Sequence, residues 1–181
     1  MKPVKKILAL ILAGVMALAL LTGCGKATSL NRTVAEGVAD YVKYSLSQLQ
    51  NNNKISVSYQ FPKLSRDIAP LFDENWITKD SGDDVLNENY KVNGNKTVKE
   101  TLTDILSPYI SATSAVTFLA ADVTDVKTPF MEGTNLISSM IVFTTDDGSF
   151  DATSVTTIKV AVTHKTINDR TYALAVIIYE A

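Results

Sequence analysis

The sequence is short of most of the side chains that carry chemistry. Its 181 residues include one cysteine, one histidine and one tryptophan. A single cysteine excludes an intramolecular disulfide and any cysteine-rich zinc site. A single histidine excludes the H-E-x-x-H zinc motif, which needs two. No serine lies in a G-x-S-x-G turn and none has a lysine three positions later, so two familiar nucleophile signatures are absent. A Ser-His-Asp grouping drawn from distant positions stays open, because serines and aspartates are plentiful. No basic stripe or cluster is present, and the chain has a net charge of −2, which argues against a nucleic-acid partner.

What is present starts at the N-terminus. Lys2, Lys5 and Lys6 precede an apolar run of 15 residues, Ile7 to Leu21, which ends on Thr22-Gly23-Cys24-Gly25. A charged start, an apolar middle and a small-residue exit form the layout of a secretory signal peptide. The run falls short of the roughly 20 residues of a membrane-spanning helix. Leu21-Thr22-Gly23-Cys24 resembles the lipobox of bacterial lipoproteins, where a leucine stands three residues before the cysteine and small residues fill the gap. The lysine-rich leader followed by Gly-Cys-Gly-Lys looks like the Gram-positive type. The resemblance implies that the Cys24 thiol receives a diacylglyceryl group with palmitate-like chains and that the leader 1–23 is removed. Cys24 then begins the mature protein. It also implies a cell-membrane location on the extracytoplasmic face, with membrane lipid as the first partner. Two acyl chains matter physically, since one chain gives only marginal attachment.

Removing the leader takes away three lysines and no acids, so 14 basic residues remain against 19 acidic ones, a net −5. The expected organisation is a leader 1–23, a lipidated tether 24–31 and one domain 32–181. No second long apolar run follows, which predicts a water-exposed body on a tether.

Thr33-Val34-Ala35-Glu36 has the form of a capping box, and Val34, Val38, Tyr41, Val42, Ser45, Leu46 and Leu49 recur at helical spacing up to Gln50. Ile55 to Phe61 alternates apolar with polar and predicts a strand stopped by Pro62. Leu64, Ile68, Leu71 and Phe72 have the spacing of a short helix turn that Pro70 interrupts, and the following segment, 75–95, is polar and turn-rich. Thr97-Val98-Lys99-Glu100 is a second capping box, opening a helix on Val98, Leu102, Ile105 and Leu106 that stops at Pro108. Strands are predicted at Val116–Val126, Leu136–Thr145, Val155–His164 and Thr171–Tyr179. The last is apolar on both faces and belongs in the middle of a sheet. The expected fold is α+β, with N-terminal helices packed on a curved antiparallel sheet of four to five strands. The order of elements resembles the cystatin-like and NTF2-like architectures, which decides no function.

Three groups of residues merit attention. His164 continues the apolar face of Ile158, Val160 and Val162, so it reads either as a strand-end histidine or as a general base with a carboxylate such as Asp122. Exposure on the surface would leave the enzyme without a base, whereas a deep pocket within hydrogen-bond reach of an acid would weaken the binding reading. Trp76, with Phe72, Tyr90 and the asparagines around them, reads either as a core anchor or as a platform for a sugar or peptide. The acid clusters 80–84 and 146–151 suit surface turns and lack the EF-hand register, so no metal is expected. The function predicted is a lipoprotein whose domain binds a protein, peptide or glycan without catalysis and without a cofactor. The alternatives are an NTF2-like enzyme using His164 and a structural component of the envelope, the last expected to show a broad exposed apolar patch.

Overall fold

The computed structural model describes residues 30–50, 54–59, 67–92 and 94–181. The leader and Cys24 lie outside the described residues.

The first helix, α1, spans Leu30–Gln50. Its stripe Val34, Val38, Tyr41, Val42, Ser45 and Leu46 is buried as the spacing predicts. The start is earlier than the capping box implies. Leu30, Asn31 and Arg32 are helical, and Arg32 Nε takes Glu36 in a 2.7 Å ion pair. Thr33 and Glu36 are therefore interior residues of the helix. At the other end the Gln50 amide donates to the carbonyls of Ala152 and Val155, at 3.0 and 2.9 Å, and pins the helix terminus to a distant loop.

Strand β1 is only Ser56–Ser58, shorter than the predicted run, whose Gln60, Phe61 and Pro62 lie outside the described residues. Two hairpins occupy the segment read as irregular: β2 (Ile77–Asp80) with β3 (Asp83–Leu86), and β4 (Lys91–Val92) with β5 (Lys96–Thr97). Ser81 and Gly82 turn the first with φ of 52° and 100°, the left-handed pair that a two-residue hairpin prefers. Helix α2 runs Val98–Leu106 behind the predicted capping box. Thr97 Oγ1 accepts from Glu100 N at 3.1 Å, and Glu100 Oε2 accepts from Thr97 N at 2.8 Å. Strand β6 is Ser114–Asp122.

The predicted strand 136–145 is divided. Pro129–Ser138 forms helix α3, and only Ile141–Thr145 is strand, β7. Thr128 caps α3 and Pro129 opens it, where a missing N–H costs nothing. Strands β8 (Thr157–Ile167) and β9 (Arg170–Glu180) then form a long hairpin turned by Asn168 and Asp169 at φ of 46° and 65°.

The fold is α+β, built on a five-stranded sheet ordered β1-β8-β9-β6-β7. It is mixed, because β1 runs parallel to β8 while the other neighbours are antiparallel. β9 lies in the middle, as its two apolar faces require. Ala173, Ala175, Ile177 and Tyr179 face a core closed by α1 and α3. Tyr172, Leu174, Val176 and Ile178 face a second core made by Phe72, Trp76 and α2. The sheet is therefore covered on both faces, not on one.

Candidate functional site

β8 carries Ile158, Val160 and Val162 toward α1, and the two-residue period places His164 on the same face. There it meets both helices. His164 Nε2 lies 2.7 Å from Glu132 Oε2 of α3, and Nδ1 lies 2.6 Å from Asn31 Oδ1 of α1. The two side chains retain little surface, 16% for His164 and 9% for Glu132. Both ring nitrogens are thus engaged. The Asn31 amide can present either its oxygen or its NH2 to the ring, so the pair accommodates a donating or an accepting Nδ1.

Asp122 is not the carboxylate partner. It pairs with Tyr172 across β6 and β9, and alternation from Ala120 puts it on the second-core side of the sheet, away from His164. Its own carboxylate accepts from the Thr124 N–H at 2.9 Å and stands 3.9 Å from Arg170. Glu132 was not singled out in the sequence. The signal for it was the Thr128-Pro129 helix start, which turns a run read as strand into a helix with Glu132 among its buried residues.

Trp76 and Phe72 are fully buried, so neither can form the outer face of a platform. Phe72 packs edge-on to Trp76 and Tyr172, with centroids 5.6 and 5.4 Å apart. The sequence expectation of a contact surface on these two is corrected: a short helical turn, Glu74–Trp76 capped by Asp73, folds the indole inward. Trp76 Nε1 finds no hydrogen-bond partner among the described residues. Tyr90 is half-buried against the same core. Of the surrounding amides, Asn87 donates to the Asn75 carbonyl at 3.2 Å and ties the hairpin to the turn before it.

In the acid cluster 80–84, Asp84 pairs with Lys79 across the hairpin at 2.7 Å, and the cluster 146–151 spends its carboxylates locally. Asp147 accepts from the Ser149 N–H and hydroxyl, and Asp151 from those of Thr153. These bonds hold both carboxyls below their ordinary range, led by the Ser149 hydroxyl for Asp147 and by the Thr153 N–H for Asp151. Among the described residues no group of three or more histidine, cysteine, aspartate or glutamate side chains could hold a metal ion. On the open side of α1, Arg32 lies 3.5 Å over the Tyr59 ring. Partial burial, then the nearby Asp40 carboxylate, pushes the Tyr59 phenol upward.

No protein-family model, curated protein or solved structure matches this chain.

Proposed function

We propose that the chain is a bacterial lipoprotein that displays one α+β domain on the extracytoplasmic face of the cell membrane and acts by non-catalytic contact with a protein, peptide or glycan. The observation that carries the non-catalytic half is the double engagement of His164. A general base must aim a lone pair at its substrate. In this arrangement one nitrogen serves Glu132 and the other faces Asn31, so the imidazole acts as a strut between two helices and a strand. The buried acid contact is the one feature that favours the enzyme reading, and that reading requires Asn31 to leave the ring.

The membrane half is supported by the lipobox-like Leu21-Thr22-Gly23-Cys24 and by the leader before it. Its test is fractionation of cells carrying Cys24→Ala. The expected outcome is loss from the membrane fraction or an uncut leader, with the wild type bearing a diacylglyceryl mass on its N-terminal cysteine. Unchanged processing together with unchanged attachment overturns it. The non-catalytic half is tested by cross-linking in intact envelopes: His164→Gln should still capture the partner captured by the wild type.

A further inference from the structure

Two helix starts meet at one corner of the domain. Asn31, the second residue of α1, and Glu132, the fourth of α3, hydrogen-bond the same imidazole, so they lie one ring apart. Beside them the surface exposes Leu30 at 47%, Phe130 at 55% and Met131 at 49%. Among the described residues only Tyr44 and Met140 are comparable large apolar side chains left in water. Apolar residues scattered singly need no explanation, but these three all stand at the two helix starts that His164 joins, where the chain enters its first helix.

Cys24 stands six residues before Leu30. Six extended residues span at most about 20 Å. The headgroup layer that this link must cross is roughly 5 to 8 Å deep on one side of a bilayer. An acylated Cys24 therefore keeps this corner within reach of the membrane, nearer on average than the far end of the sheet. Such a tether makes contact with the surface effectively intramolecular, so a small patch suffices. At this end of the sheet Lys127, Lys165 and Arg170 stand among the acids Asp122, Asp125 and Asp169, with Asp84 also within electrostatic reach of Arg170.

We infer that Leu30, Phe130 and Met131 form a membrane-contact surface that seats in the headgroup and acyl boundary of the bilayer holding the Cys24 lipid, and so fixes the orientation of the domain. This rests on the lipid-anchor reading above. Leucine, phenylalanine and methionine are suited to shallow insertion of this kind, where apolar area adds to the pull of the anchor. The opposite end of the sheet, with the Ser111–Ser114 turn and the loop 146–156, then points away from the membrane toward partners.

The test uses the full lipidated chain in vesicles of phosphatidylglycerol and phosphatidylethanolamine, part of whose acyl chains carry a brominated quencher. An acylated Cys24 has no thiol, so a cysteine introduced at an exposed position takes a thiol-reactive, environment-sensitive dye uniquely. Met131→Cys probes the patch and Ala112→Cys the far end. The expected result is a blue-shifted emission at 131, with lipid quenching at least about twofold stronger than at 112. In the Phe130→Glu background the quenching at 131 falls toward that at 112. Equal quenching at both positions, with the acyl mass present on Cys24, overturns this inference and leaves the anchor standing. A bare Cys24 overturns both. A blue shift that grows with protein concentration and ignores the quencher assigns the patch to a second copy of the chain and also overturns the inference.

Discussion

At the scale of single residues, the energetic weight falls on groups whose chemistry sits inside the core. Glu132 is a buried carboxylate with His164 as its partner. Removing one member of such a pair strands the other, which costs more than the pair itself contributes. His164→Ala should therefore destabilise the domain by about 1 to 3 kcal/mol, the cost of leaving a buried hydrogen-bonding group without its partner. Adding Glu132→Leu should recover much of that loss, since the stranded carboxyl group is gone. Urea midpoints of the two single variants and the double variant check this; simple additivity would refute it. Tyr179 supplies the pH dependence. It is buried against Phe150, and burial pushes its phenol from an ordinary 10.0 up to about 12, which contact with Thr117 only partly offsets. The folded state holds the proton more tightly than the unfolded state does. The associated stability is thus intact below pH 10 and is lost as pH rises toward 12, by about 2 to 3 kcal/mol in all. Tyr179→Phe should remove most of the loss across that window and leave the part that the half-buried Tyr59 contributes, as followed by denaturation at stepped alkaline pH. A wild-type slope retained in the variant would place the titration elsewhere.

At the scale of elements, the sequence was most legible where local grammar and tertiary packing agree. The helix at 98–106 follows directly from Thr97, Glu100 and Pro108, and its capping box is present bond for bond. Thr97→Ala should cost about 1 kcal/mol. The effect should appear as a lower thermal midpoint with unchanged secondary structure, and a silent substitution would mean that the box is ornamental. The same grammar misplaced the start of α1, because an i,i+4 partner at Arg32 draws Glu36 away and three more residues join the helix. It also missed α3. Leu136 and Ile137 are apolar neighbours that suit a strand by composition, and only their burial against α1 and the sheet makes them a helix face. Gly133 lies on the face of that helix toward α1: a side-chain carbon there would stand 3.6 Å from the Val34 carbonyl, an ordinary contact distance. The hairpins at 77–86 and 91–97 were hidden for the opposite reason, since they are too short and too polar to show a periodic pattern. Trp76 was ambiguous by nature. A lone indole carries the same weight in a sequence whether it faces water or core, and only the turn from Glu74 decides.

At the scale of the whole molecule, the middle strand is the feature that makes one body of two cores. β9 sends Ala173, Ala175 and Ile177 into the layer under α1, and Leu174, Val176 and Ile178 into the layer with Trp76 and α2. Neither core can be emptied without withdrawing the strand that fills the other. Cooperative, two-state unfolding is the expected consequence for a domain of this size. Trp76 makes the claim measurable, because the only indole of the chain lies in the second core and reports on nothing in the first. Val38 is fully buried in the first core, on the α1 side of the sheet. Val38→Ala should destabilise by about 1 to 3 kcal/mol through the cavity it leaves. That shift should appear undiminished in the urea midpoint of Trp76 fluorescence and coincide with the midpoint of far-ultraviolet circular dichroism. If the fluorescence transition stays in place while the dichroism moves, the two layers open separately and β9 does not couple them.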